Sequence, residues 1–523
     1  MRLIDTEVLV IGSGFGGAAA ALRLAEAGHR VHLAEKGGAI GPGSATPFRQ
    51  TQDPRYLKQY LKGLGSDHLN VTYAEALGGG SGFYEMASFR APSLAFRQRD
   101  PDGRPLWPDG LDRQSLDPWY DLAERMLRVE QIREAEIPRT GLVFSLLMKN
   151  LGYSCDRGRY AVQGCRGSGF CITGCPWNAK QSLHLNYLAR AVDAGVAIEC
   201  DLEAAEILPA ESGYTVRCLK RTGAQEEVTF RAAMVVLGGG TVGTAALLLR
   251  SRRHLPRLSR QVGRNVAFNG SVKVAGLLAD GIPDGDMFTG RSHPGMISFE
   301  FLESHGVAVS AAKALPIAAV SGARLRLDGD PRAPAWWGEA NVELMQQYRR
   351  RVLALVSFGL TAPGGRITLD GAGRPQVGLD PTADLERYVA DTRALLESIF
   401  TRNGCRVIDL EWMNGKAQPY AGLHFATAHQ TGSARMAHSP DHGVVDPMGE
   451  VFHYPGLYVT DGAAIPSSLA VNTSLTILAN AERIAAGIVA RQRPVRAIAD
   501  AVRVQSSSAS DTSVARALGV LSR

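Results

Sequence analysis

Near its start the chain carries a continuous apolar run, TEVLVIG at 6–12. The run breaks at SGFGG, continues as the alanine-rich AAAALRLAEAG and returns to an apolar run in HRVHLAEKG. Strands that are apolar at successive positions are buried on both faces, and an alanine-rich stretch between two of them packs close to a sheet. The pattern predicts a β–α–β unit with parallel strands. The same strand–glycine–helix change recurs at AAMVVLGGG (232–240), which runs through TVGT into AALLLRS. Towards the end, GLYVTDGA (456–463) reads as a strand, followed after a loop by the helix SLTILANAERIAAGIVARQ (474–492). Three separated segments therefore predict one nucleotide-binding sheet.

The intervening regions differ in texture. Residues 96–179 are loop-rich, with one helix start at Asp117-Pro118. Residues 281–425 alternate short strand-like runs, GVAVSAAKALPIAAV and GGRITLD, with the helical PTADLERYVADTRALLESIFTRNG. The expected fold class is α/β. Residues 1–95, 180–280 and 426–493 build a Rossmann-type domain, 96–179 form a cap, and 281–425 form an inserted, mainly antiparallel sheet with covering helices for substrate. Residues 494–523, with SSSASDTS, have linker composition and are predicted to be a mobile tail.

Composition changes this picture little. A chain of 523 residues holds several units, and a formal charge of +6 without a basic, aromatic-interleaved stripe does not suggest nucleic-acid binding. No run reaches the length of a membrane span, and the N-terminus has no signal-peptide pattern, so a cytoplasmic location is the expectation. The 58 glycines suit a backbone that must approach a ligand closely.

Gly12-Ser13-Gly14-Phe15-Gly16-Gly17 fits G-x-G-x-x-G between a strand and a helix. Gly12 makes the tight turn, Gly14 lets the backbone approach a pyrophosphate, and Gly17 allows close helix–sheet packing. The following helix N-terminus points N–H groups at the phosphates. Glu35, at the end of the second strand, is placed to bind ribose hydroxyls. NAD and FAD both fit this fingerprint.

The stretch AHQTGSARMAHSPDHGVVDPMGEVFHYPGLYVTDGAAIPSSLAVNTSLTILANAERIA, 428–485, decides between them. It closely resembles the C-terminal signature of the glucose–methanol–choline (GMC) family of FAD-dependent oxidoreductases. Ordered matches run along the chain at ALGGGSGFYEMASFR (76–90), WPDG, DPWYDLAE, the region 179–207, VVLGGGTVGTAALLLRS (235–251), VGRNV and GGRITLD. The resemblance implies FAD and oxidation of a small-molecule alcohol; with no decisive histidine tether to the flavin in the sequence, noncovalent binding is the expectation. It places His429, three residues before Gly432, as the catalytic histidine and Asn472 as its partner. It places Asp461 and the backbone at Thr473 against the flavin, and Gly79, Gly80 and Ser81 in the loop covering the cofactor. Where many members have Asn in the GGGS-x-x-N loop, this chain has Tyr84. His424 is the rival to His429, while His438, His442 and His453 read as structural. A flavin lyase or decarboxylase on the same scaffold, and a non-enzymatic electron-transfer flavoprotein, are the alternatives; retention of His429 and Asn472 favours alcohol oxidation. Sugar, sterol, long-chain and specialised alcohols, and a sugar dehydrogenase subunit feeding a cytochrome, all stay open; apolar runs with Trp336-Trp337, which serve equally as core, tilt slightly towards a hydrophobic or cyclic alcohol.

Seven cysteines, three of them in CRGSGFCITGCP (165–176), argue against a secreted disulfide framework. The spacing lacks the second pair that structural zinc needs. Cys165, Cys171 and Cys175 could hold a cuboidal iron–sulfur cluster, since thiolates suit iron and glycines let the backbone wrap it. The motif is similar to that of the iron–sulfur branch of the family. That resemblance would imply a 3Fe-4S centre and an electron-acceptor protein such as a cytochrome subunit. Small thiols packed under a loop are the other reading, and both stay open at this point.

Overall fold

The computed structural model describes residues 2–51, 53–223, 226–286, 290–312, 325–327, 339–410 and 425–492. His424, Trp336-Trp337, the end of the GVAVSAAKALPIAAV run and the predicted tail lie outside the described residues.

The predicted start is β1 (Arg2–Ile11), α1 (Phe15–Glu26) and β2 (Val31–Ala34), with β1 and β2 parallel from Val8–Val31 to Ile11–Ala34. Ala18 to Ala21 are fully buried, and their short side chains let α1 lie close to the strands. The sheet is completed by β3 (Ala197–Glu199), β4 (Leu202–Ala210), β5 (Gly213–Lys220) and β6 (Glu227–Leu237). They are followed by α2 (Gly240–Ser251), β7 (Leu457–Val459) and α3 (Ser474–Gln492). The order is β3-β2-β1-β6-β5-β4. One edge of β6 pairs in parallel with β1. On its other edge the first half pairs antiparallel with β5, and Val235–Leu237 pair in parallel with β7. The C-terminal ends of β1, β6 and β7 thereby meet, which is where open parallel sheets take their ligands.

Helices α1 and α3 are joined through a buried charge. Arg23 donates to both oxygens of Glu482 at 2.7 and 2.9 Å, and the Tyr187 hydroxyl donates to the same carboxylate at 2.6 Å. Such a pair is tolerated in the interior because its polar atoms find partners.

The second sheet contains Lys273–Leu277, Met296–Ser298, Val307–Ala312, Leu325–Leu327, Val352–Gly359 and Arg406–Leu410, with Asp156–Arg157 at one edge. Every pairing found in it is antiparallel, as expected. One face is apolar: Val274, Val307, Val309, Leu353 and Leu355 form a core with Phe144 and Leu147 of helix Arg139–Asn150 and Leu396, Ile399 and Phe400 of helix Ala383–Thr401. By strand alternation the opposite face carries Lys273, Ala275, Ser310, Ala354, Val356 and Phe358. The expected domain boundary shifts here. This sheet begins at Lys273 rather than after residue 280, and it takes an edge strand from the 96–179 segment, because its ladders join residues far apart in sequence.

Candidate active site

The fingerprint glycines divide by what surrounds them. Gly12 has φ +97°, and a Cβ there would lie 2.5 Å from the Gly238 carbonyl oxygen. A Cβ on Gly17 would overlap the Gly12 carbonyl oxygen, whereas one on Gly14 would meet only the Gly238 oxygen, at 3.9 Å. Gly12 and Gly17 are closed by backbone, and Gly14 leaves space for a ligand's approach.

The covering loop closes on the same turn. A Cβ on Gly79 would lie 2.9 Å from the Gly14 Cα, while Gly80 has nothing within 4 Å. Ser81 is buried; its hydroxyl donates to the Gly78 carbonyl at 2.7 Å and accepts from the Leu183 N–H at 3.2 Å. Glu35 is buried at the end of β2 and accepts from the Ser13 N–H and Oγ at 2.9 and 2.6 Å and from the Gly37 N–H at 2.7 Å. Burial raises its pKa against the pull of these donors. Ser13 Oγ accepts in turn from the Gly78 N–H at 2.9 Å, linking fingerprint to cover. An open Gly14 between closed glycines, beside a buried carboxylate, fits the diphosphate and ribose of FAD.

Asp461 is engaged by the protein itself. Its carboxylate accepts from the Gly240 N–H at 2.7 Å, Thr244 Oγ1 at 2.5 Å and the Ala463 N–H at 2.8 Å. Burial raises its pKa to about 6. It ties the β6–α2 turn to the end of β7, so its side chain shapes the cradle. Thr473 is buried immediately before α3, and its carbonyl accepts from the Ile477 N–H at 3.0 Å, closing the first turn of the helix.

His429 and Asn472, 43 positions apart in sequence, meet with Asn472 Nδ2 and His429 Nε2 3.0 Å apart. An amide nitrogen only donates, so Nε2 accepts and the ring proton sits on Nδ1. The backbone N–H of His429 donates to Thr427 Oγ1 at 2.9 Å, and the Phe358 ring lies 5.6 Å from the imidazole, centroid to centroid. These contacts hold the ring from two sides. Burial, and then the positive charge of Lys273, push the His429 pKa down to about 4. The imidazole is therefore neutral across the physiological range, and its Nε2 lone pair is the one that accepts from Asn472.

Cys165, Cys171 and Cys175 are half-buried free thiols. No group of three or more His, Cys, Asp or Glu among the described residues is arranged to hold a metal ion, so the arrangement does not fit the cluster reading. The loop is instead packed by its backbone. The Tyr56 hydroxyl donates to the Thr173 carbonyl at 3.0 Å, and Gly174, at φ +103°, lies against the Phe48 ring. Burial raises the Cys171 pKa, opposing the thiolate form. Beneath the loop the buried Lys180 donates to the Gly82 carbonyl at 2.9 Å and to the Cys171 carbonyl, joining the cysteine loop to the cofactor cover. Burial lowers its pKa to about 8. The Tyr84 hydroxyl donates to the Gln181 carbonyl at 3.2 Å, and its ring lies against Phe15 of the glycine fingerprint. Lys180→Met should destabilise the protein by about 1–3 kcal/mol, because a buried and a partly buried carbonyl lose their donor; denaturant unfolding of the flavin-loaded protein checks this.

Two of the histidines read as structural make such contacts. His438 Nε2 accepts from the Asp109 N–H at 3.0 Å, and His453 Nδ1 lies 2.8 Å from Arg257. Residues not singled out from sequence also enter the site: Ser13 and Thr244 hold Glu35 and Asp461, and the charge of Lys273 acts on His429. Only Lys273 had a local signal, a charge within the apolar run SVKVAGL.

Fold and site together define an oxidoreductase with a dinucleotide-binding domain and a separate substrate domain. The chain belongs to the GMC oxidoreductase family, whose N-terminal signature matches residues 7–268 and whose C-terminal signature matches 365–481. It is 28% identical to a cholesterol oxidase of Mycobacterium tuberculosis, over 92% of this chain and 90% of that protein. A 6'''-hydroxyparomomycin C oxidase of Streptomyces lividus is 26% identical, over 94% and 92% of the two chains. Among solved structures, formate oxidase of Aspergillus oryzae superposes with a TM-score of 0.64 at 16% identity, covering 94% of this chain and 99% of that one, a likeness of fold. Family membership implies FAD, in agreement with the cradle. No helix among the described residues is long and apolar enough to cross a membrane.

Proposed function

We propose that this protein oxidises an alcohol to the corresponding carbonyl compound, with His429 accepting the hydroxyl proton. The observation that carries this reading is the 3.0 Å contact between Asn472 Nδ2 and His429 Nε2. An alcohol hydroxyl that replaces this direct hydrogen bond can donate its proton to Nε2 while accepting from the Asn472 amide. Both groups then orient the carbinol carbon, which contributes through positioning as well as proton transfer. Bound FAD supplies the hydride acceptor, N5. Residues Gly12, Gly14, Gly17, Glu35, Gly79, Gly80 and Ser81 would hold its dinucleotide portion. The N-terminus of α3 is suited to stabilise negative charge at the far end of the ring system. The cholesterol oxidase and 6'''-hydroxyparomomycin C oxidase relatives support an alcohol as the substrate class.

Anaerobic mixing of the flavin-loaded protein with a panel of primary, secondary, cyclic and sugar alcohols tests the reading. Bleaching of the visible flavin band by one or more of them is expected, and no bleaching across the panel would overturn it. The pH dependence has a definite sign. A base must be unprotonated to act, and His429 has a pKa lowered from 6.5 to about 4. The rate constant for flavin reduction should stay level as pH falls through 6.5 and drop only near pH 4. Stopped-flow reduction across that range checks it.

A further inference from the structure

Lys273 is the first residue of its strand and pairs with Val356. Ser310 pairs with Val356 from the other side, and Phe358, two residues along on the same face, packs its ring on His429. Register and alternation therefore set Lys273 on the face of the substrate-domain sheet that looks toward the catalytic pair. Its neighbours on that face, Ala275, Ala354 and Val356, bring no charge. The side chain is half-buried, and no ion pair or hydrogen bond of its ammonium is found among the described residues. Two effects agree with this placement: burial lowers the Lys273 pKa, and its charge depresses the basicity of His429.

A partly desolvated ammonium for which the described residues supply no counter-charge is costly, and the cost falls when a ligand brings one. The alternating strand offers no packing reason for it, since the adjacent positions on the same face are small and apolar. Resting on the alcohol-oxidation reading above, we propose that Lys273 determines specificity, its ammonium beside the His429–Asn472 pair selecting alcohols that also carry a carboxylate. A substrate bearing an ammonium would be repelled from the same place.

Matched alcohols test this with the flavin-loaded protein. The para-carboxylate, para-carboxamide and para-aminomethyl derivatives of benzyl alcohol are compared, together with a medium-chain primary alcohol bearing the same three groups at its far end. Kd is taken from the concentration dependence of anaerobic flavin reduction. In at least one series the carboxylate should bind about 10- to 100-fold more tightly than the carboxamide, with the amine weakest. Lys273→Met should bring the carboxylate-to-carboxamide ratio to within about threefold, and Lys273→Arg should preserve the preference. A ratio unchanged in Lys273→Met, or equal binding of carboxylate and carboxamide in the parent protein, overturns the proposal. If no alcohol reduces the flavin, the oxidation reading fails by itself. The same compounds then give Kd by perturbing the flavin spectrum, and absence of a carboxylate preference there overturns the Lys273 assignment separately.

Discussion

Replacing His429 by alanine should slow flavin reduction by an alcohol about 100-fold or more, the range in which a positioned general base contributes. The ring is half-buried, and its contacts are to Phe358 and Asn472, so its removal should leave the folded protein and its flavin content intact. The loss should appear in the limiting rate of reduction at saturating alcohol rather than in Kd. Asn472 can still donate to the substrate oxygen, whereas nothing in that pair then accepts the proton. Single-turnover reduction with matched flavin loading is the measurement. A rate near that of the parent protein would remove His429 from the chemistry.

Gly17→Ala should have the largest effect on cofactor binding and folding. The added methyl would overlap the carbonyl oxygen of Gly12, a backbone atom in a turn held from the other side by Gly238. Neither can move without separating α1 from β1. A destabilisation of about 3 kcal/mol is expected from overpacking against backbone, together with purification largely free of flavin. Gly371→Ala, in an exposed turn away from the cofactor residues, is the control, since nothing lies within 4 Å of its Cβ position. Flavin-to-protein absorbance ratios and denaturant midpoints of the two variants decide the matter. Equal flavin content in both would contradict the assigned role of Gly17.

The glycine fingerprint was legible because its constraints are local: a tight turn, an open backbone face and a helix start all lie within six residues, and each needs a particular residue type. Glu35 was legible for the same reason, one strand later. The pairing of His429 with Asn472 came from a family likeness rather than from spacing, since no periodicity relates positions on a loop and before a helix. Lys273 was missed even though a charge in an apolar strand was visible, because its strand belonged to the other domain. The Asp461 side chain is bonded to Gly240, Thr244 and Ala463, the first two more than 200 positions away, which no local pattern could name.

The sequence by itself determined the β–α–β start, the segments of the nucleotide-binding sheet and the three-glycine turn, all of which follow from burial periodicity and backbone sterics over short spans. Only the tertiary structure decided that Lys273–Leu277 joins the antiparallel sheet, that Lys180 bridges the cysteine loop and the cofactor cover, and that Lys273 bears on His429. Those outcomes depend on hydrogen-bond ladders and electrostatic fields between residues distant in the chain, and a linear pattern carries no record of which distant partners come within reach.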